Sequence, residues 1–364
     1  MTVRVRDVAE LLEHRFPSSW AEPWDRVGLR IGDPERSVER LYVALDATVA
    51  SIRQAAARGC QVLVTHHPPF LGDLRSVTAD GGAGSIVVEA LSLGVAVISE
   101  HTNLDRSPEG WKALAARCGF ESVRPLERSL EDVDLVTVYA PEGAEDRLID
   151  AMARAGAGRI GSYERCAFAA PGIGTFTPLP GSAPAYGDGG QTSVPELRIE
   201  MVAPPGDGER VARAAREAHP YEEPLITVAR VSRPRAQASL GAVADTARMT
   251  LDELAATVSQ RLEVPVRVWG PPDTELSRVA FANGSGGSLI PAARAAGADA
   301  IVLGEVRYHD ALTALEAGLT IVEAGHDATE LPLVDVLAGV LTESLGSDAV
   351  VRQPRSPMWW VTRE

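Results

Sequence analysis

Short apolar runs of four or five residues, each followed by a stretch of helical spacing, recur near both ends of this chain. That alternation constrains the fold more than any other feature of the sequence. Residues 41–45, 62–65 and 95–99 read as strands, with helix-like segments at 50–58 and 85–93 between them and an amphipathic helix over 5–14 ahead of them. The rhythm returns later: a helix over 250–262 leads to strands at 266–269, 279–282, 300–303 and 319–322, then a long helix over 331–345 and a last strand at 350–361. Strands joined through helices pair in parallel and need helices on their faces, so the class is α/β.

The middle breaks the pattern. A polar stretch at 128–132 precedes strand 134–140 and helix 145–155; a Gly/Pro-rich stretch at 171–190 has almost no periodicity. Strand 196–202, helix 209–218 and strand 225–231 follow, and 232–237, with Pro234, reads as a return linker. Two β-α-β-like halves in about a hundred residues predict a ferredoxin-like α+β insert. The expected organisation is one discontinuous α/β domain, 1–127 with 236–364, around an inserted domain at 128–235.

Composition narrows the function. A net charge of −15 argues against sequence-independent binding to nucleic acid. Three cysteines without a CxxC pair suit a reducing cytosol rather than a disulfide framework. Neither a secretory leader nor an apolar run of membrane-spanning length is visible, so the expectation is a cytoplasmic protein with no membrane role.

The histidines carry the chemistry. Strand 62–65 runs into His66-His67-Pro68-Pro69, and strand 95–99 into Glu100-His101, with Asp105 just beyond. Strand 300–303 runs into Gly304-Glu305 with His309 after it, and strand 319–322 into Glu323-Ala324-Gly325-His326, with Glu330 four residues on. In open α/β sheets ligands bind at the carboxyl ends of strands, and imidazole with carboxylate is the donor set of zinc, iron and manganese. Five of the seven histidines fall at such ends, all expected on one sheet. His326 and Glu330 share a face if the turn is helical, and Pro332 suits the first turn of a helix starting at 327–329. Trp24-Asp25-Arg26-Val27-Gly28 reads as a cleft wall or a loop, and Asn283-Gly284-Ser285-Gly286-Gly287-Ser288 as a phosphate cradle or a plain turn. His219-Pro220-Tyr221-Glu222-Glu223 reads as a helix stop or a contact for a partner or ligand, and His14 as surface.

Taken in order, Trp24-Asp25-Arg26-Val27-Gly28, Thr65-His66-His67-Pro68, His101-Thr102-Asn103-Leu104-Asp105, Gly304-Glu305 with Tyr308-His309, and Gly325-His326 with Thr329-Glu330 resemble the dinuclear-metal-centre hexameric protein family, often labelled GTP cyclohydrolase 1 type 2 homologues. The insert resembles that family's PII-like middle domain. The resemblance implies two divalent ions per subunit, zinc first and iron or manganese otherwise. It implies His66 and His326 on one ion, His67 and Asp105 on the other, and Glu330 bridging. His101 and His309 would then handle protons or face substrate, and the assembly would be a homo-hexamer, a trimer of dimers. The activity it implies is metal-dependent hydrolysis of a small molecule such as a nucleotide, for instance opening of a purine imidazole ring with loss of formate. The competing reading is a non-catalytic metal-binding scaffold or regulatory hexamer.

Overall fold

In the computed structural model, which describes residues 2–187 and 189–354, the chain divides into two compact units, 1–129 with 237–364 and 130–236. The elements of the first segment are α1 (Val5–Arg15), β1 (Gly28–Ile31), β2 (Leu41–Asp46), α2 (Val49–Ala57), β3 (Val62–His67), α3 (Gly82–Leu93), β4 (Ala96–Ser99), α4 (Thr102–Asp105) and α5 (Gly110–Arg117). Strand β5 (Val123–Pro141) leads into the second unit, which holds α6 (Glu145–Arg154), β6 (Phe168–Phe176), β7 (Thr192–Ala203) and α7 (Gly208–Ala218). Strand β8 (Ile226–Thr250) returns to the first unit, followed by α8 (Leu251–Leu262), β9 (Arg267–Trp269), β10 (Glu275–Phe281), α9 (Ile290–Ala295), β11 (Ala300–Leu303), α10 (Tyr308–Glu316), β12 (Thr320–Glu323), α11 (His326–Leu345) and β13 (Val350–Arg352).

The four site-bearing strands do not share one sheet. Strands β3 and β4 belong to a sheet of order β1-β4-β3-β2-β13, and β11 and β12 to the order β8-β10-β11-β12-β9. The parallel pairs β2–β3–β4 and β10–β11–β12 follow from the helical crossovers. Each half then completes its own sheet: β1 lies antiparallel on β4 and β13 parallel on β2, while β9 and β8 lie antiparallel on β12 and β10. The central strands β2, β3, β4, β11 and β12 are covered on both faces, which is why they read as apolar runs rather than alternating ones. Val43, Val64 and Ile98 pack under α1 and α11, and Tyr42, Leu63 and Val97 under α2 and α3. Val279, Val302 and Val322 pack with Trp111 and Leu114 of α5 and Leu254 and Val258 of α8, and Ile301 and Ile321 with α9 and α10.

Helix α11 ties the two halves together. It starts three residues after β12, yet Leu333, Leu337 and Leu341 are buried against the other sheet. It begins at His326, earlier than expected, because Gly325 at φ 91° turns the chain straight from the strand into the helix. Pro332 therefore lies inside the helix rather than in its first turn.

In the second unit the strand order is β6-β7-β5-β8. Val136, Val138, Ile199 and Met201 pack against Leu148 and Met152 of α6 and Val211 and Ala215 of α7. Two sequence expectations change here. The stretch 171–190 begins within strand β6, an edge strand whose residues are mostly exposed, so it carries no apolar alternation to detect. The segment 232–237 is strand rather than linker, since β8 runs through it. The expected last strand begins at Val350, and its end, from residue 355, lies outside the described residues. No helix among the described residues is long and apolar enough to cross a membrane.

Two glycines in these helices should respond to alanine with opposite signs. A Cβ at Gly110 would stand 1.8 Å from the Leu104 carbonyl oxygen, so Gly110→Ala should destabilise the protein by about 1–3 kcal/mol. Gly339, exposed in α11, has open space at that position, so Gly339→Ala should stabilise it by about 0.5–1 kcal/mol. Urea unfolding midpoints of the two variants check both signs.

Candidate metal centre

Strand β3 ends on two successive histidines. His66 is wholly buried and His67 half-buried, and their ring centroids are 5.0 Å apart. His101 sits at the head of α4 with its ring 5.0 Å from His66 and 5.6 Å from His67, and His326 opens α11 with its ring 5.5 Å from His67. Strand ends from both sheets thus converge, with α11 supplying the fourth imidazole.

Each ring is oriented in the same way. His66 Nδ1 donates to the Glu100 carbonyl oxygen at 2.9 Å, and His67 Nδ1 to Asp46 Oδ1 at 2.8 Å across the β2–β3 pair. His101 Nδ1 donates to Asp25 Oδ1 at 2.9 Å, and His326 Nδ1 to Glu305 Oε1 at 3.1 Å. An oxygen acceptor at every Nδ1 requires the proton there, which leaves the Nε2 lone pair of a neutral ring as the free donor atom.

Those Nε2 atoms meet a carboxylate. Glu330, one turn after His326 on α11, is buried with Oε1 3.1 Å from His326 Nε2 and 3.7 Å from His66 Nε2, while Oε2 is 2.9 Å from His67 Nε2. Despite these approaches, His66 Nε2 and Glu330 Oε2 are buried without a hydrogen-bond partner. Buried polar atoms of native proteins are otherwise satisfied, and donor atoms that crowd together without aligning to each other fit a shared cation. Two groups among the described residues could hold a metal ion: His66 with His67 and His101, and His67 with His326 and Glu330.

Without a cation, protons must balance the charge. Burial alone would raise the Glu330 pKa, but His326, His66 and His67 hold it well below the carboxylate range. Burial would lower His67, yet Asp46 and Glu330 push it up to about 10. Glu330 raises His326 to about 9 against its burial, and Asp105 and Glu330 raise His66 against its own. Asp25, buried beneath His101, is held low against its desolvation by His101 and Thr102.

The surrounding backbone is shaped to the cluster. Asp105 Oδ2 lies 3.7 Å from His66 Nε2, and its Oδ1 accepts from Asn283 Nδ2 at 3.1 Å. The next residue, Gly284 at φ 54°, passes so close that a Cβ would stand 2.1 Å from Glu330 Oε1 and 3.1 Å from His326 Nε2. Its carbonyl accepts from the amides of Gly286, Gly304 and Glu305, and its amide donates to Thr329 Oγ1. The loop at 283–288, read above as a phosphate cradle or a turn, thus packs against the cluster and uses the Gly286 amide internally.

The family model of Duf34/NIF3 (NGG1p interacting factor 3) matches residues 3–355. The chain belongs to the Duf34/NIF3 family. It is 33% identical to a Bacillus subtilis protein named GTP cyclohydrolase 1 type 2 homolog, over 91% of this chain and 90% of that one. The protein of the same name from Mycobacterium tuberculosis is 34% identical, over 97% and 95%. Among solved structures, the Staphylococcus aureus protein SA1388 superposes with a TM-score of 0.79 at 26% identity, covering 99% of each chain. A Bacillus cereus protein related to NIF3 gives 0.68 at 29%, also covering 99% of each.

In this NIF3-family chain the structure brings together His66, His67, His101, Asp105, His326 and Glu330. It does not bring in His309, which is exposed on α10 with its ring beside Tyr308 and belongs to neither ligand group. The distances also favour a different partition from the expected one: His66 stands with Asp105, and His67 with His326. Sequence reading named Glu305 at its strand end but not its hold on His326, and it missed the outer partner Asp46 and the role of Asn283. The signal for Asp46 was present, since it too ends a strand, but a single carboxylate there has no companion in sequence to mark it. Trp24-Asp25 does wall the site: Asp25 lies behind His101, and the Trp24 ring stands edge-on to it at 6.0 Å.

A cleft of about 780 Å³ reaches the centre on one side, where His67 and His326 line it with Asp46, Glu305, Arg267 and Glu323.

Gly284→Ala should displace the Glu330 carboxylate and lower bound zinc about 10–100-fold at limiting metal while the far-ultraviolet circular dichroism stays unchanged. Equilibrium dialysis with metal analysis reads the loss. Stability should also depend on pH in a metal-specific way. The His326 and His67 pKa values, raised to about 9 and about 10, stabilise the metal-free fold below the unfolded value of ~6.5, and that contribution is lost as pH rises through 9 to 10. The metal-free melting midpoint should therefore fall between pH 7 and 10. Zinc requires neutral rings, so the zinc-loaded midpoint should resist that fall; calorimetry over the range distinguishes the two.

Proposed function

We propose that this chain is a dinuclear metal-binding protein that works as a metal-dependent hydrolase on a nucleotide or related small molecule. The observation that carries this reading is the buried Glu330 carboxylate ringed by three imidazole Nε2 atoms, with His66 Nε2 and Glu330 Oε2 unpartnered. His66 and Asp105 would hold one ion and His67 and His326 the other, with Glu330 within reach of both groups. Three imidazoles and two carboxylates suit zinc first, with iron or manganese as the alternatives. Bound there, a pair of divalent ions supplies Lewis acidity, lowering the pKa of water towards neutrality and polarising a substrate oxygen.

The remaining chemistry belongs to the chain. Asp25 accepts a hydrogen bond from His101 Nδ1–H and fixes its ring, so Nε2 is the atom that takes a proton from the attacking water and returns it to the leaving group. Asp25 also accepts from the Thr102 amide, which keeps it ionised and in place. The cleft is of a size that encloses a small-molecule ligand, and Arg267 stands on its wall beside the carboxylates. The name carried by the relatives makes GTP the first substrate to try. Following the family resemblance, we assign the protein as a homo-hexamer, a trimer of dimers, acting in the cytoplasm.

His101→Ala should keep its zinc content and lose about 10²–10⁴-fold in turnover. Metal analysis beside a screen of GTP and other nucleotides, with formate and phosphate release as readouts, tests this. A fully loaded protein that turns over nothing removes the catalytic reading and leaves a metal-binding scaffold.

A further inference from the structure

The two halves of the cluster differ in how they are enclosed. His66 is wholly buried, and its Nδ1 is anchored on a backbone carbonyl, which cannot swing away as a side chain can. Its neighbour Asp105, 14% exposed, is pinned by Asn283, and His101 beside it leans on Asp25, whose side chain has no exposed surface. The other half opens on the cleft. His67 is 24% exposed and His326 38%, and both line its wall. The carboxylates that orient them are more exposed still, Asp46 at 48% and Glu305 at 56%, and both line the same cleft.

An outer partner holds a ligating imidazole only as firmly as it is itself held. A buried Asp or a backbone carbonyl fixes the ring, whereas a solvent-exposed carboxylate exchanges its hydrogen bond with water and is screened by salt. Ion release also needs an incoming ligand within reach, and His67 and His326 are the two imidazoles of the cluster that line the cleft.

We infer that the cleft-facing group, His67 with His326 and Glu330, is the exchangeable position of the centre, and that the exposed Glu305 is the residue that sets how long an ion stays there. The group around His66 and Asp105 retains its ion, so exchange and ligand approach both proceed across the face formed by His67 and His326. Glu305 is a positioning residue, acting through the ring of His326. The inference rests on the metal-centre reading proposed above, and does not depend on catalysis.

The test is zinc release from protein loaded with two equivalents and mixed with an excess of a chromogenic chelator. Two phases of equal amplitude are expected. Glu305→Gln should speed the fast phase about 10–100-fold and leave the slow phase unchanged. Asp46→Asn should do the same through His67. Both carboxylates are exposed, and an unchanged far-ultraviolet circular dichroism spectrum of each metal-free variant shows that it folds. Two equivalents leaving in one phase, or Glu305→Gln altering both phases or neither, overturns the asymmetry while leaving the centre standing. Failure to take up zinc overturns the metal-centre reading itself, and this inference with it.

Discussion

The electrostatics of one carboxylate organise the heart of this protein. Glu330 is buried at a point where three imidazole nitrogens approach it, and a bare charge in that position would cost several kcal/mol. Protons on the histidines or a shared cation must offset it, and the rest of the site follows from that need. The imidazoles are each turned inward by an oxygen behind them, Asp105 adds a second negative group, and Gly284 gives up its side chain so that the backbone can pass. The same carboxylate constrains the fold, because α11 must begin at the end of one sheet and bury its apolar face on the other to bring Glu330 there.

That arrangement accounts for the division of labour between elements. Apolar strands β3, β4, β11 and β12 are fully sandwiched, so their ends are held as firmly as the core itself. Side chains with strong demands sit at or just beyond those ends, where the ladder stops and polar groups find partners in loops. The open side, with its exposed carboxylates, is where a small molecule can approach. A rigid inner half and a softer outer half are what a centre needs if it is to keep its ions and still exchange ligands.

Much of this was legible in the residues. The apolar runs marked the central strands and several of the helices of the first unit, because doubly covered strands and amphipathic helices write their periods directly into the chain, while β1, α4 and α5 went unread. The clustering of histidines at strand ends picked out His66, His67, His101 and His326, and the four-residue spacing added Glu330. The misses have physical causes. Edge strand β6 is exposed on most of its length and so has no pattern to read. Asp46 and Glu305 act through rings distant in sequence, and no local pattern announces a partner 21 residues away in each case.

The sequence by itself determined the α/β class, the family resemblance and the identity of the donor atoms, since these depend on residue type and short-range period. Only the tertiary structure decided that the donors come from two sheets rather than one, which imidazole stands with which carboxylate, and which half of the cluster faces the cleft. Those depend on how sheet edges close and how α11 crosses between layers. Such long-range packing choices leave no periodic trace in the order of the amino acids.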